Sequence, residues 1–308
     1  MMEIIMNTSL QYFLLIAKEQ SIVRAAEQLY ITPQNLSNHV KRLEQEYGTL
    51  FTRYPHFGLT PAGEALVETL QKIEVLEKGL SDRLKELNEE IIGNIDFGIH
   101  PLRARVLLPR VMPVFARAFP QVHVTIHGLV MNNSIKKLQN GEIDAFFGID
   151  TPALPEFDII PLKTEKIFFV ASRELLEQNG VAGDAPVIAM EELPRFSYLL
   201  SPQDSHFRPK INSFCEQTGI SLRERITISD FSLQLTFASQ GLGACFTPES
   251  VMSVMHDLNR NLPPREELRA LTVEGLAATV NLAFVMHRLS CRTAPLKGLL
   301  RAFQEAFE

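Results

Sequence analysis

The chain has 308 residues, a length that indicates two or three folded units rather than one. Apolar residues make up 45% and charged residues 21% of it, proportions that exclude disordered and fibrous proteins. The net charge of −6 differs from that of dedicated polyanion binders, so composition alone does not predict nucleic-acid binding.

Cysteine usage and hydropathy indicate where the protein works. Three cysteines, an odd number without close spacing, suit a reducing compartment and argue against a disulfide framework. The N-terminus lacks a basic region followed by a long apolar run, and no segment approaches the roughly 20 apolar residues of a membrane span. We therefore expect a cytoplasmic protein without membrane contact.

The first sixty residues predict three helices followed by a β-hairpin. Apolar residues recur at helical spacing, and hydroxyl residues stand where N-caps are needed. The short segments 50–53 and 57–60 flank a Tyr-Pro-His turn and predict a wing. The predicted helices cover residues 9–19, 22–29 and 33–47, with Ser21 capping the second helix, Thr32 capping the third and Gly48 ending it.

Two short helices joined by a tight turn form a helix-turn-helix pattern, and the outer face of the second one is polar. Side-chain amides suit the adenine edge in the major groove, whereas Lys and Arg suit phosphates. The pattern alone also fits a small helical bundle without DNA. The predicted DNA-contacting residues are Thr32, Pro33, Gln34, Ser37, Asn38, Lys41, Arg42 and, in the wing, Arg53.

A long helix is predicted from Pro61 to about residue 92. Leucine and isoleucine recur there every seven residues, a spacing typical of coiled coils, although Glu77 interrupts the companion seam. The alternative is a long helix packed on its own domain. The residues predicted to mediate dimerisation are Leu66, Ile73, Leu80, Leu84 and Leu87.

From Asn94 onward, strands alternate with helices, which predicts an α/β domain with a parallel sheet and covering helices. A Pro-rich stretch over 152–161 interrupts this order, and 165–171 is predicted to be a crossing strand. Similar alternation resumes afterwards, so we expect two lobes with a cleft between them. The predicted domains are 1–60 for the winged helix-turn-helix, 61–92 for the linker helix and 93–308 for the remainder, divided into lobe I (about 93–165 and 270–308) and lobe II (about 166–269).

Ligands of parallel α/β lobes bind at strand C-terminal ends, often against helix N-termini. A histidine and an arginine follow the first strand of the remainder, and this pair suits an anionic metabolite. A solvated arginine and a packed histidine are the alternative. The predicted ligand-contacting residues are His100, Pro101, Leu102, Arg103, Asn132, Asn133 and Ser134 in lobe I, and Ser201, Pro202, Gln203 and Thr247 opposite them.

Other chemistry has weak support in the sequence. His123 and His127 share a strand face but lack a third ligand at metal spacing, so surface histidines are the better interpretation. Cys215 and Cys245 are predicted to be structural thiols rather than a redox switch. No phosphate loop or nucleophile elbow occurs, so no catalytic residue, cofactor or metal site is predicted.

Several motifs of the first sixty residues closely resemble the LysR-type transcriptional regulators. The remainder is similar to the effector domain of the same family, which itself resembles periplasmic binding proteins. Together the similarities cover most of the chain and are weakest over about 255–280. The motifs are Ala25-Ala26-Glu27-Gln28-Leu29, Ile31 to Ser37, Lys41-Arg42-Leu43-Glu44, Leu50-Phe51, Arg53, Leu59-Thr60-Pro61-Ala62-Gly63, Leu107-Leu108-Pro109, Phe119-Pro120, Gly141-Glu142-Ile143-Asp144 and Gly241-Leu242-Gly243.

The resemblance implies a DNA-binding transcription factor, not an enzyme, whose grip on double-stranded DNA changes with a small-molecule effector. It also implies a homodimer, favours a homotetramer and leaves open a contact with RNA polymerase. Asn38 stands where many members have a basic residue, which removes one phosphate or guanine contact, and His100 stands where many have a small hydroxyl residue. The rival hypothesis is a stand-alone two-lobed small-molecule binding protein or enzyme with a helical dimerisation module.

Overall fold

A computed structural model describes residues 7–54, 56–87, 92–203, 205–290 and 293–307 of the chain. The N-terminal unit contains α1 (Thr8–Glu19), α2 (Ile22–Gln28), α3 (Pro33–Tyr47), β1 (Phe51–Thr52) and β2 (Gly58–Leu59). The linker helix α4 (Pro61–Leu87) follows. No helix within these described ranges is long and apolar enough to cross a bilayer.

The predicted caps of the N-terminal helices are confirmed. Ser21 accepts a hydrogen bond from the backbone N–H of Arg24, and Thr32 accepts one from Asn35. Pro33 occupies the first turn of α3, where its missing N–H costs no hydrogen bond. The wing strands β1 and β2 pair antiparallel over two residues each, so the predicted segments are longer than the observed ladder.

A separate hydrophobic core holds the N-terminal unit together. Its buried side chains come from all three helices and from β1, and α4 adds Leu70. The small side chains of Ala25 and Ala26 are fully buried, which allows the neighbouring helices to approach closely. The buried members are Phe13, Ile16, Ala25, Ala26, Leu36, Val40, Leu43, Leu50, Phe51 and Leu70.

The C-terminal part consists of two α/β lobes. Lobe I contains β3 (Gly93–Ile99), α5 (Pro101–Ala118), β4 (Val122–Gly128), α6 (Met131–Gln139), β5 (Ala145–Ile149), β12 (Thr279–His287) and α11 (Ala294–Glu305). Lobe II contains α7 (Arg173–Gln178), β7 (Val187–Ile188), β8 (Ser197–Leu200), α8 (Arg208–Thr218), β9 (Arg223–Thr227), α9 (Phe231–Ser239), β10 (Cys245–Pro248), α10 (Met252–Asn259) and β11 (Leu268–Val273).

Both lobes share the long strand β6 (Phe157–Ser172). Its first half pairs with β12 of lobe I, and its second half pairs with β10 and β11 of lobe II. The main sheet therefore runs in the order β4-β3-β5-β12-β6-β11-β7, with β10 also on β6. β3 lies parallel to both β4 and β5, as predicted. The prediction of a parallel sheet is wrong for the middle of the main sheet, because β12 is antiparallel to β5 and β6, and β10 and β11 are antiparallel to β6.

Two sequence-based boundaries differ from the structure. The Pro-rich stretch does not delay the crossing strand, because Pro161 lies inside β6 beside a register shift, an irregularity that tolerates the missing N–H. Leu268–Val273 pairs with the lobe II half of β6 and with β7, so the return to lobe I falls at about 274–278 and not at 270.

Candidate functional site

The outer face of α3 is polar and open to solvent. Gln34, Asn38, Lys41 and Arg42 are exposed, and Ser37 is half-buried beside them. The opposite face of the helix is buried in the N-terminal core, which fixes the orientation of the polar face. Thr32 and Pro33 are exposed at the N-terminus of α3. The predicted DNA-contacting residues of this helix thus form one continuous surface.

Glu44 connects the recognition helix to the wing. Its Oε1 accepts hydrogen bonds from the backbone N–H groups of Leu50 (3.1 Å) and Phe51 (3.2 Å), and its Oε2 accepts one from Arg53 Nη2 (3.2 Å). The Arg53 side chain remains 62% exposed, so its guanidinium is oriented by Glu44 while most of it stays available to a partner. Sequence reasoning identified Arg53 but not the residue that positions it.

Two strongly exposed tyrosines lie in the segments before and after α3 and were not predicted. Tyr30, in the turn between α2 and α3, is 96% exposed and has a φ of +55°. Tyr54, at the tip of the wing, is 90% exposed. Exposure of large aromatic rings is unusual in a free monomer and typical of contact surfaces. The signal available in the sequence was their position in turns, where no core packing is possible.

A cavity of about 330 Å³ lies between the two lobes. Seven of the eleven predicted ligand-contacting residues line it, which are His100, Leu102, Arg103, Asn132, Ser134, Ser201 and Pro202. The lining also contains residues that sequence reasoning did not select, among them Phe147, Asp150, Phe207 and Phe231. Phe147 lies inside β5, and Phe207 and Phe231 stand at the starts of α8 and α9; the sequence does not reveal which of these side chains face the cleft.

Four predicted residues do not line the cavity. Pro101 and Asn133 are exposed on the first turns of α5 and α6. Gln203 accepts a hydrogen bond from Asn212 instead. Thr247 is fully buried in β10, and strand alternation turns it away from its cavity-lining neighbour Pro248.

The arginine of the cleft is neither solvated nor unpaired. Arg103 is 4% exposed, and its Nη1 donates to Glu165 Oε2 at 3.0 Å. Glu165, on β6, is 1% exposed and accepts a second hydrogen bond from Ser250 Oγ. Burial lowers the pKa of Arg103, and the charge of Glu165 opposes that shift. The alternative of a solvated arginine is wrong, since the side chain belongs to a buried ion pair.

His100 caps α5 and is held neutral. Its Nδ1 accepts a hydrogen bond from the backbone N–H of Leu102 at 3.3 Å. Burial, with the nearby charge of Arg103, lowers the pKa of His100 below its ordinary value. A neutral imidazole whose Nδ1 is an acceptor carries its proton on Nε2. His100 therefore offers the cleft a neutral N–H donor.

A larger cavity of about 810 Å³ separates the N-terminal unit from lobe I along α4. Polar contacts join its two sides, including Gln71 Nε2 to Asn140 Oδ1 at 2.8 Å and Lys18 Nζ to Glu142 Oε1 at 3.8 Å. Its lining is mostly charged and amide side chains from α1, α4 and lobe I. The cleft between the lobes, with its aromatic and hydroxyl lining, is the better ligand site.

The dimerisation residues predicted on α4 divide into two groups. Leu66 and Ile73 pack against the N-terminal core, as the alternative of a helix on its own domain requires. Leu80 (41% exposed) and Leu84 (40%) are open to solvent, and Leu76 (48%) extends them one turn toward the N-terminus. The side chain of Leu87 lies outside the part of the chain that the structure describes.

Neither cysteine in the described ranges is arranged as a reactive thiol. Cys215 is half-buried in α8 and Cys245 is buried in β10. Burial raises the pKa of Cys215 and raises that of Cys245 to about 12. His127 contacts Asp96 at 2.8 Å, and within the described ranges no group of three or more His, Cys, Asp or Glu residues is arranged to hold a metal.

Comparison with known proteins covers both parts of the chain. Residues 8–64 match the family model described as bacterial regulatory helix-turn-helix protein, lysR family, and residues 88–308 match the LysR substrate binding domain. The uncharacterized HTH-type transcriptional regulator YcgK of Bacillus subtilis is 26% identical over 264 residues, with 79% of each chain covered.

Solved structures have the same architecture. A full-length OxyR variant from Pseudomonas aeruginosa superposes with a TM-score of 0.72 at 22% identity, covering 98% of this chain and 96% of that one. Full-length CbnR, in complex with its target DNA, superposes with a TM-score of 0.60 at 18% identity, covering 97% of each chain. The two family matches together span nearly the whole sequence, and they identify the chain as a member of the LysR family, whose members are transcriptional regulators and not enzymes.

Proposed function

We propose that this LysR-family regulator binds DNA by inserting α3 into the major groove and that a small molecule in the interlobe cleft modulates this binding. The observation that carries the proposal is the solvent-exposed polar face of α3, oriented by a buried opposite face and flanked by the wing. The rival hypothesis of a stand-alone binding protein or enzyme loses its support, because family membership includes the N-terminal unit.

The exposed residues divide by chemistry into two roles. Gln34 and Asn38 carry amides that donate and accept together, as contacts to an adenine edge require, and Ser37 adds an adaptable hydroxyl. Lys41, Arg42 and Arg53 supply the charge that binds phosphates without reading sequence. The amides therefore set selectivity, and the cations set affinity and its salt dependence.

The cleft is placed where a ligand can change the relation between the lobes. Residues of both lobes line it, and β6 continues from lobe I into lobe II. An ion pair between Lys210 Nζ of lobe II and Asp150 Oδ2 of lobe I, at 3.2 Å, spans the lobes at the cavity. A ligand that prefers one lobe arrangement shifts the population toward it.

The working form is a homo-oligomer in the cytoplasm. One recognition helix reads too few base pairs for selectivity, and a two-fold dimer doubles the site. The exposed stripe of Leu76, Leu80 and Leu84 on α4 supports self-association, because no part of the chain that the structure describes covers it. Free thiols suit the reducing compartment in which bacterial DNA is read.

The test begins with selection of binding sites from a randomised duplex pool by the purified full-length protein. Fluorescence anisotropy on the selected duplex and on a scrambled duplex, across a salt series, then compares variants. Asn38→Ala should weaken binding to the selected duplex by about 1–3 kcal/mol. The affinity for the selected duplex should therefore move closer to that for the scrambled duplex. Arg53→Ala should weaken binding to both duplexes and make the salt dependence less steep.

Lys136→Ala is the matched control, since it removes an exposed cation from α6, remote from the recognition helix. It should leave affinity and salt slope unchanged. If no duplex is enriched and binding to all duplexes stays weak, with and without a metabolite mixture, the proposed role of the N-terminal unit is wrong.

A further inference from the structure

The charges around the interlobe cleft carry information about the ligand, an inference that rests on the proposed effector role of this cavity. Apart from its histidines, the cavity lining contains two ionisable side chains, Arg103 and Asp150, among the residues that the structure describes. An uncompensated cation stabilises a bound anion, and an uncompensated carboxylate stabilises a bound cation. The partners of these two side chains therefore bear on which ligands the cleft prefers.

The charge of Arg103 is compensated by a buried carboxylate. It is 4% exposed, and its Nη1 donates to Glu165 Oε2 at 3.0 Å; Glu165 is 1% exposed. A carboxylate ligand brought beside Arg103 also approaches the Glu165 carboxylate, in a region where water does not screen the repulsion. Transfer of a charged ligand from water into the cleft disfavours its binding further. The buried pair thus disfavours anions in the cleft.

Asp150 is matched in the same way. Its Oδ2 lies 3.2 Å from Lys210 Nζ, and its Oδ1 accepts hydrogen bonds from the backbone and side-chain amides of Asn281, at 3.1 and 3.2 Å. A cationic ligand has to compete with Lys210 for this carboxylate. The lining residues and their partners thus form two ion pairs with no net charge.

What remains in the lining is neutral donors and apolar surface. His100 offers its Nε2–H, and Ser201 Oγ accepts from Gln234 Nε2 at 3.3 Å, which leaves the hydroxyl proton free to be donated. Phe207 and Phe231 meet edge-to-face with their ring centroids 5.2 Å apart, and Phe147 enters from lobe I. Such walls suit a ring, and the donors suit an accepting oxygen.

We propose that the effector of this protein is an uncharged, ring-containing molecule with a hydrogen-bond-accepting oxygen, such as an amide, lactone or ketone, and not a carboxylate, a phosphate or an amine. The ring packs against the three phenylalanines, and the oxygen accepts from His100 and Ser201. The Arg103–Glu165 pair sets the selectivity by excluding anions.

The experiment uses pairs of probes that differ in charge and hardly in shape. Benzamide is compared with benzoate, and cyclohexanecarboxamide with cyclohexanecarboxylate, by isothermal titration of the full-length protein near neutral pH. Each amide should bind at least about tenfold more tightly than its carboxylate, because only the carboxylate is repelled by the negative charge of Glu165. Carboxylates that bind as tightly as the amides, or more tightly, overturn the proposal, and so does the failure of every probe to bind.

Glu165→Gln tests the origin of the selectivity. The substitution keeps the shape of the side chain and removes its negative charge. The positive charge of Arg103 is then unpaired, so the affinity for benzoate should rise at least about tenfold. Glu249→Gln is the matched control, because it breaks the ion pair with Lys163 (2.9 Å), which lies outside the cavity lining. An unchanged preference for benzamide in folded Glu165→Gln contradicts the assigned role of the pair. If that variant does not fold, the comparison in the unmodified protein decides alone.

The same preparations are tested for DNA binding. Normal selective DNA binding together with a preference for carboxylates overturns the proposed ligand class and leaves the regulatory function intact. Loss of selective DNA binding in the unmodified protein overturns the function itself, whatever binds in the cleft.

Discussion

At the scale of single residues, this protein depends on a few polar side chains that serve two neighbours at once. Glu44 is the clearest case, since one carboxylate satisfies two backbone N–H groups at the start of the wing and orients Arg53. Hydrogen bonds to an ionised acceptor are stronger than those between neutral groups. A buried backbone N–H group that loses its acceptor costs free energy. Glu44, although polar and part of the helix with the predicted DNA-contacting residues, therefore has a structural role.

Glu44→Ala should destabilise the N-terminal unit by about 1–3 kcal/mol, because the N–H groups of Leu50 and Phe51 lose their acceptor. Urea unfolding followed by tyrosine fluorescence measures this selectively. Tyr12, Tyr30, Tyr47 and Tyr54 lie in the N-terminal unit, only Tyr198 lies elsewhere, and the chain has no tryptophan. Gln45→Ala, an exposed neighbour on the same helix, should change the stability by no more than about 0.5 kcal/mol. Equal effects of the two substitutions would show that Glu44 does not anchor the wing.

The thiols define a second prediction at this scale. With the pKa of Cys245 raised to about 12, its reactive thiolate fraction near pH 8 is about 10⁻⁴. Iodoacetamide should therefore leave Cys245 unmodified in the native protein and alkylate it rapidly in urea, as peptide mass spectrometry will show. Cys215, whose pKa is also raised, should react more slowly natively than in urea. Rapid native alkylation of Cys245 would refute its assignment as a structural thiol.

At the scale of elements, the junction between the wing and the linker helix depends on a close approach. A Cβ added to Gly63 would lie 2.2 Å from the carbonyl oxygen of Leu50 and 3.0 Å from Leu59 Cδ2. The first contact is with backbone, which has no rotamer to change. The glycine that ends the Thr-Pro-Ala-Gly motif is thus needed for packing, and its conformational freedom is incidental.

Gly63→Ala has two opposing consequences. Helix propensity favours alanine by about 1 kcal/mol. The overlap with the Leu50 carbonyl forces α4 away from the wing at a cost of about 1–3 kcal/mol and loses the hydrogen bond from the Gly63 N–H to Thr60 Oγ1. We expect net destabilisation in the tyrosine-detected unfolding. Ala65→Gly, at an exposed position nearby on α4, should lower the free energy of unfolding only by the difference in helix propensity between the two residues. A stabilised Gly63→Ala protein would contradict the packing argument.

Elements also show what the sequence can and cannot predict. Ser21, Thr32 and Gly48 act through their nearest neighbours in the chain, so the boundaries of α2 and α3 follow from local chemistry. The ion pair between Arg103 and Glu165 joins residues 62 positions apart, and no local pattern announces it. A heptad pattern gives the spacing of the apolar residues on α4 but not what each of them packs against. The pattern therefore does not separate Leu66 and Ile73, which pack against the N-terminal core, from the exposed Leu80 and Leu84.

At the scale of the whole molecule, two strands connect the cleft to the linker helix. Asp96 lies in β3, which ends just before His100, and β5 lies between Asp144 and Asp150. The first residue of each pair faces Lys78 of α4, at 3.9 and 2.7 Å, and the second lines the cleft. A ligand that moves the cleft ends of these strands thus also acts on their other ends, which contact α4. Helix α4 in turn packs against the DNA-binding unit.

The exposed leucines of α4 lead to the prediction for the assembled protein. Leu80→Glu with Leu84→Glu places two carboxylates in the stripe and should convert the oligomer to monomers, as measured by sedimentation velocity. Affinity for the selected two-half-site duplex should then fall about 100-fold or more, because the two recognition helices no longer bind as one unit. Each isolated monomer should retain its native circular dichroism, since both side chains are exposed. Leu289→Glu, a control at 41% exposure outside α4, should leave both assembly and DNA affinity unchanged. A stable dimer of the double variant with full DNA affinity would show that the subunits associate through another surface.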